Sequence, residues 1–253
     1  MGTSASNPGA GGGVPLVPPW VPDPESGNGS PSSPGPVPLA PRARFGTSRR
    51  SLGDFARSGD TSSLRKGLGN YSRRGLGGAT NAAKRLGGAA VTSGALFRAL
   101  DSARSGELTP LDLGFDAEGF AGRSAREIAD RISRFVTPSD GTQDTASSQR
   151  AVNYALADLL ATEPTVDLMA LTTEQIEWVF QRHLAHEIRQ RIELDVGNAI
   201  VEKAPNPIAA TRRLKEVREY VEEAVAAAFR SVRGSGNKLD AATASTLASS
   251  TIR

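Results

Sequence analysis

Apolar residues recur at three- and four-residue intervals along the second half of the chain, which predicts amphipathic helices. The first helix begins at Ser124, where Ser-Ala-Arg-Glu forms a capping box, and it ends before Pro138. A second helix is expected from about Asp144 to Thr162. The helical spacing of the first element places four residues on its apolar face: Ile128, Ile132, Phe135 and Val136.

The longest apolar stripe begins at Thr172, where Thr-Thr-Glu-Gln forms a second capping box. The stripe keeps helical spacing to Ile192 and continues toward Val201, with Gly197 as a weak point. This third helix is expected to end at Pro205, because proline cannot continue a helix.

A fourth helix has proline at its first position, Pro207, and Asn206 as its cap. Gly234 is its expected C-cap. An additional helix is plausible over residues 80–104, where Val91 is one of the apolar positions. Its glycines each cost about 1 kcal/mol relative to alanine, so it requires tertiary support.

Strand signals are nearly absent, so the predicted fold is all-α. A helical domain is expected over 95–233, followed by a flexible C-terminal tail over 234–253. The domain lies behind a long disordered N-terminal region, which divides into a Gly/Pro-rich tail, 1–41, and a basic Gly/Arg-rich flexible segment, 42–94.

The first 41 residues contain 8 glycines and 11 prolines, which resist both helix and strand. Within this tail, residues 14–22 read Val-Pro-Leu-Val-Pro-Pro-Trp-Val-Pro, an apolar stretch with polyproline character. Such a pre-extended apolar peptide suits docking into a groove of a partner. A linker with incidental apolar residues is the alternative.

Positive charge is concentrated between residues 42 and 98, which hold 12 Lys and Arg residues against two Asp. Since the whole chain has a formal charge of only +3, the remainder is acidic. The basic segment could bind the phosphates of a nucleic acid, although few aromatic residues are available for base stacking, and an acidic protein partner would serve equally well. The candidate nucleic-acid contacts are Arg49, Arg50, Arg65, Lys66, Arg73, Arg74, Lys84 and Arg85.

Several kinds of chemistry are excluded by composition. The chain has no cysteine, which removes disulfides, thiolate metal sites and cysteine nucleophiles. No P-loop, dinucleotide-binding motif or nucleophile elbow is present, so no catalytic residue and no cofactor are expected. The absence of a secretory signal and of a long apolar run predicts a cytoplasmic protein without membrane contact.

The only two histidines, His183 and His186, lie three residues apart on the third helix. This spacing can place two imidazoles on one face, as a metal site requires, but it matches neither zinc-protease order. Histidines in solvent or at a cap are the commoner case, so no metal site is predicted.

The amino terminus is a candidate site of covalent modification. Gly2 follows Met1 and is small enough for methionine removal, which would expose an unhindered α-amine on a mobile tail. The pattern loosely fits N-myristoylation. Another amine-directed modification, or capture by a partner, is the alternative.

The opening Met-Gly-Thr-Ser-Ala-Ser, followed by Gly-Gly-Gly-Val-Pro-Leu-Val-Pro-Pro-Trp-Val over residues 11–21, resembles the QatB family of the bacterial Qat anti-phage defence system. The basic Gly/Arg segment and the helical body, including Leu-Thr-Thr-Glu-Gln over 171–175, are also similar. The resemblance is strong over about the first 21 residues and diffuse over the rest.

The resemblance implies a protein that acts beside an ATPase, a 7-cyano-7-deazaguanine synthase-like protein and a TatD-like nuclease, and that is not itself an enzyme. It also implies that the synthase-like partner attaches a deazaguanine to the amine of Gly2. The residues that would then contact this partner are Thr3, Ser4, Ser6, Leu16 and Trp20.

Two hypotheses follow from these patterns. The preferred one is a non-catalytic defence component whose helical domain binds partner proteins and whose N-terminal tail is docked or modified. The alternative is a nucleic-acid-binding accessory protein that uses the basic residues between 42 and 98.

Overall fold

Helices account for almost all regular structure in the computed structural model of the chain. The structure describes residues 15–17, 39–116, 119–137, 143–234, 239–240, 243–244, 248 and 251. Within these residues, the only β-pairing is an isolated antiparallel bridge between Pro15 and Leu39. Two π-helical segments, Tyr71–Gly75 and Glu193–Gly197, interrupt the α-helices. The α-helices are α1 (Gly46–Ser58), α2 (Thr61–Asn70), α3 (Ala79–Arg85), α4 (Gly87–Arg104), α5 (Ala125–Val136), α6 (Gln143–Thr162), α7 (Thr173–Ile192), α8 (Asn198–Lys203) and α9 (Pro207–Gly234).

The predicted helix starts are confirmed by their caps. The Ser124 hydroxyl accepts a hydrogen bond from the amide of Glu127, whose carboxylate in turn accepts from the Ser124 amide at 2.9 Å, which completes the capping box of α5. Thr172 and Gln175 form the same motif at the start of α7. The Thr172 amide donates to Gln175 Oε1 at 2.8 Å, and the Gln175 amide donates to Thr172 Oγ1 at 3.2 Å. These reciprocal bonds satisfy amides that have no partner within the helix.

The chain divides into two compact units, which are described separately. Unit 2 comprises Gly88–Glu187 and Glu222–Thr251, and α5 packs on α6 within it. Its core includes Ile132, Leu156 and Phe180, all essentially inaccessible to solvent, and the Phe180 and Phe229 rings lie 5.8 Å apart. Unit 1 comprises Met1–Gly87, Ile188–Val221 and Ile252–Arg253.

Unit 1 has helices where the sequence predicts the flexible segment 42–94. Helices α1, α2 and α3 and the start of α4 lie in this range, and α1 packs against both α2 and α8. Phe45, Leu52 and Phe55 are buried there, and Phe45 stacks on Tyr71 with ring centroids 5.7 Å apart. A few large apolar residues at helical spacing are therefore sufficient to organise a segment rich in glycine and arginine.

Glycine contributes to this packing by its small size. A Cβ at Gly67 of α2 would lie 2.7 Å from Leu52 Cδ2 of α1, so only a residue without a side chain permits the observed approach. The Ser48 hydroxyl also donates a 2.8 Å hydrogen bond to the Gly67 carbonyl. The helix-breaking composition of this segment is in part a requirement for close helix contacts.

Three residues predicted on apolar faces are exposed instead. Phe135 lies beside the buried Val136, which takes the inward position at the end of α5. Val201 follows the π-helical segment Glu193–Gly197, whose wider turn shifts the helical register that the sequence pattern assumes. Val91 is exposed on α4, where smaller residues such as Ala89 and Ala90 are buried.

We predict that Gly67→Ala lowers the free energy of unfolding by about 1–3 kcal/mol, because the added methyl group collides with Leu52 across the contact between α1 and α2. The matched control is Gly69→Ala in the same helix, where the new Cβ would meet only the flexible end of Arg73, at 3.1 Å. That change should be neutral or stabilising by up to about 1 kcal/mol, since alanine has the higher helix propensity. Denaturant titration of both variants measures the difference, and equal stabilities would contradict the prediction.

Candidate functional site

Four arginines from separate segments of unit 1 converge near a single carboxylate. Arg44 precedes α1, Arg49 lies in α1, Arg85 ends α3, and Arg191 lies near the end of α7. The carboxylate belongs to Asp195 in the second π-helical segment. These five residues are called the arginine cluster below.

Asp195 accepts hydrogen bonds through both its side chain and its main chain. The Tyr71 hydroxyl donates to Asp195 Oδ2 at 2.9 Å, and Arg191 Nε lies 3.6 Å from the same oxygen. Arg49 Nη2 donates to the main-chain carbonyl of Asp195 at 2.8 Å. The charge of Asp195 also acts on the pKa of Tyr71, which burial first and then this neighbouring carboxylate raise well above its ordinary value.

Positive charge in the cluster exceeds the negative charge that Asp195 supplies. Burial lowers the pKa of Arg44, and Asp195 opposes that effect only in part. Burial also lowers the pKa of Arg85, and the repulsion from Arg191 and Arg44 adds to it. The Nε and Nη1 atoms of Arg44 are buried without a hydrogen-bond partner in the described part of the chain, and its guanidinium lies 4.6 Å from the centre of the Phe45 ring. The arrangement therefore requires acceptor oxygens beyond those of Asp195.

The N-terminal stretch supplies one of these oxygens. Arg85 Nη1 donates a 2.6 Å hydrogen bond to the main-chain carbonyl of Leu16. The Leu16 side chain is only 7% exposed, and it packs so closely over Gly77 that a Cβ there would lie 2.8 Å from Leu16 Cδ1. Gly77 has a φ of +83°, in the left-handed region that favours glycine. The contact of Leu16 with Gly77 and Arg85 is called the Leu16 seat below.

The other residues predicted for the tail lie outside the described residues: Gly2, Thr3, Ser4, Ser6 and Trp20. Leu16 was predicted to contact a partner protein, and in the structure its side chain is covered by this chain.

The eight predicted nucleic-acid contacts fall in different settings. Arg49 and Arg85 belong to the arginine cluster, while Arg50 lies on the outer side of α1. Lys84 is half-buried beside Arg85. The remaining four are exposed on α2 and the first π-helical segment: Arg65, Lys66, Arg73 and Arg74.

Sequence reasoning missed four members or neighbours of the cluster. Arg44 was counted only in the total charge, Tyr71 was considered only for base stacking, and Arg191 and Asp195 were not singled out. The one available signal was their spacing, because Arg191 and Asp195 lie four residues apart and form an ion pair across one helical turn.

The two histidines are buried in unit 2, and within the described residues only His186 has a charged partner. His186 Nε2 lies 2.9 Å from Asp158 Oδ2, beside the Tyr154 ring. Neither ring nitrogen of His183 has a hydrogen-bond partner among the described residues. Burial lowers the pKa of His183 to about 3, with a smaller lowering from His186 and an opposing effect of the Ala89 carbonyl. Among the residues that the structure describes, no group of three or more His, Asp or Glu side chains could hold a metal ion.

Together these features define an all-helical protein with a cationic cluster that binds its own N-terminal main chain. Over the described ranges, no helix combines the length and apolarity needed to cross a membrane. A family model described as "Qat anti-phage system associated protein QatB" matches residues 77–253. The chain belongs to this family, which confirms the resemblance and makes the protein a component of an anti-phage defence system.

Membership of the Qat system implies other Qat proteins as partners. The matched range begins after the N-terminal stretch that carries the strongest resemblance. Comparison with curated proteins and with solved structures gives no match.

We predict that His183 makes the fold sensitive to acid. Between pH 6.5 and pH 3 the unfolded chain binds a proton at His183 and the folded chain does not. The free energy of unfolding therefore decreases as the pH is lowered through this range. The fall is at most about 1.4 kcal/mol per pH unit. Denaturant titrations at pH 7 and pH 5 should show a smaller loss for His183→Leu than for the unchanged chain, and an equal loss in both would contradict the prediction.

We predict that Leu16→Ala weakens the Leu16 seat, because a buried leucine side chain contributes about 1.5–3 kcal/mol. Amide hydrogen exchange at positions 16 and 17 should accelerate by about tenfold or more. The matched control is Leu39→Ala, since Leu39 lies across the Pro15–Leu39 bridge and is 59% exposed. The prediction fails if both variants accelerate exchange to the same extent.

Proposed function

We propose that this member of the QatB family is a non-catalytic component of the defence complex. Its helical body binds partner proteins, and the Leu16 seat holds the N-terminal stretch in a defined position for docking or modification. The observation that carries the proposal is the 2.6 Å bond from Arg85 to the Leu16 carbonyl, together with the burial of the Leu16 side chain.

Because Leu16 is attached to the folded body, only the residues before it lie between this anchor and the amino terminus. Gly2 lies fourteen residue steps before Leu16, and covalent geometry limits the reach of this stretch to about 50 Å. That reach is sufficient to enter the active site of an enzyme bound elsewhere on the protein. Anchoring also reduces the volume that the amino terminus samples, which raises its effective concentration near a bound partner.

The proposed modification is the attachment of a deazaguanine to the α-amine of Gly2 by the 7-cyano-7-deazaguanine synthase-like partner. The ATPase and the TatD-like nuclease are the other proposed partners. In this reaction the amine nitrogen of Gly2 would bond to a carbon of the deazaguanine precursor that the partner has activated with a nucleotide, the bond from that carbon to the nucleotidyl group would break, and the amine would release a proton to solvent. A glycine amine suits this step, because no side chain hinders its approach. The composition of the stretch after Gly2, which is rich in glycine and proline, disfavours helix and strand and so favours access of an enzyme to the amine.

The helical body offers apolar side chains of the kind that protein partners bury. In unit 1 these include Ile208 at the start of α9, which is 83% exposed, and Val201 on α8. In unit 2, Leu111 and Phe135 are exposed in the same way. Such residues support a role in protein assembly, since interface cores are enriched in large apolar side chains.

We predict that co-expression with the synthase-like partner increases the intact mass of the chain beyond that of the methionine-free form. Gly2→Glu should abolish the increase, because a large second residue prevents removal of Met1. The residue at position 2 then has no free α-amine. The matched control is Gly9→Glu, which introduces the same charge into the tail but keeps the α-amine of Gly2. Intact-mass spectrometry measures all three proteins.

An unchanged mass with every partner present would end the proposed modification. An increase that persists in Gly2→Glu would place the modified group elsewhere in the chain. Neither result would affect the proposed binding of partner proteins, which co-purification of the defence complex tests separately.

A further inference from the structure

A basic groove lies between α1 and α8 of unit 1 and has a volume of about 300 Å³. Its cationic lining residues are Arg49, Arg50, Arg57 and Lys203. We propose that this basic groove binds the phosphodiester backbone of a nucleic acid, without reading its base sequence. The proposal is independent of the proposed function at Gly2.

The floor of the basic groove is formed by small residues, which leave it open. Gly53 of α1 faces Ala199 of α8, and a Cβ on Gly53 would lie 3.2 Å from Lys203 Cγ. The two helices therefore approach closely at this point, and the long cationic side chains form the walls. A phosphate group can enter between them without meeting a bulky apolar side chain.

The charge of the groove is strongly unbalanced, since Glu202 is the only carboxylate that the described part of the chain contributes to its lining. Arg50 and Lys203 are exposed, and neither has an ion-pair partner in the described part of the chain. Arg57 pairs with Asp54, but both side chains are half-exposed, and an exposed pair contributes so little that a phosphate can replace it. The site therefore offers cationic groups that no protein carboxylate fully engages.

The spacing of the cations favours an extended polyanion over a single phosphate. Arg49, Gly53 and Arg57 succeed one another at intervals of four residues, so the two arginines lie about 12 Å apart along the helix axis. A nucleic-acid strand carries a charge about every 3.4 Å along its axis, so one strand can engage several of these cations together.

A nucleic acid fits this lining better than an acidic protein does. Protein interfaces depend on aromatic or large aliphatic anchors in desolvated pockets, and the lining of the basic groove includes neither. The absence of an aromatic ring in the lining also removes base stacking, which leaves phosphate contacts as the source of affinity. Binding should accordingly be independent of sequence and strongly dependent on salt.

The test is fluorescence anisotropy with a labelled 20-nucleotide DNA, single-stranded and as a duplex, titrated with the full chain from about 50 to 200 mM salt. The double variant Arg50→Gln, Lys203→Gln should reduce the slope of log affinity against log salt by about 1.8 for the duplex and about 1.4 for the single strand, as expected for two lost phosphate contacts. The matched control is Arg212→Gln, Lys215→Gln, which removes one arginine and one lysine charge from the exposed face of α9, outside the groove lining, and should leave the slope unchanged.

Four results would overturn the proposal. The first is no binding of the unchanged chain at about 50 mM salt, where phosphate contacts are strong. The second is an equal loss of slope in both double variants, which would indicate diffuse attraction rather than a site. The third is tighter binding of poly-glutamate of equal charge, which would identify an acidic protein as the partner. Inorganic triphosphate serves as a further competitor, and displacement of DNA by an equal concentration of it would show that the groove takes single small phosphates instead.

Discussion

The supply of acceptor oxygens to half-buried arginines is the constraint on which unit 1 depends. Moving a guanidinium group out of water is costly unless oxygen atoms replace the lost hydration. Asp195 meets part of this requirement, with its carboxylate near Arg191 and its carbonyl bonded to Arg49. Arg85 takes the Leu16 carbonyl in addition. The attachment of the N-terminal stretch and the packing of α1 thus follow from the same electrostatic requirement.

The fold could be predicted from sequence where local signals are strong. The Ser124 and Thr172 caps are complete within four residues, and each marks the start of an observed helix. Over 42–94 the glycine content predicts a flexible segment, because glycine disfavours a helix, whereas Gly67 allows α2 to pack closely on Leu52 of α1. The effect of a glycine depends on the residue that packs against it, and a local sequence pattern does not reveal that residue.

The arginine cluster could not be predicted from sequence because its contacts join distant positions. Arg49 and Asp195 are 146 residues apart, Tyr71 and Asp195 are 124 apart, and Leu16 and Arg85 are 69 apart. Residues that act together are therefore invisible to motif spacing. Charge counting singled out Arg49, Arg50 and Arg85, but it could not separate half-buried arginines from exposed ones. It also omitted Lys203, which reaches the basic groove from α8.

Arg49 connects the basic groove to the arginine cluster, because its side chain lines the groove and its Nη2 donates to the Asp195 carbonyl. The same Asp195 accepts a hydrogen bond from the Tyr71 hydroxyl through its carboxylate, which also lies 3.6 Å from Arg191 Nε. A phosphate bound in the groove would therefore contact the arginine that also fixes the main chain of the residue at the centre of the cluster.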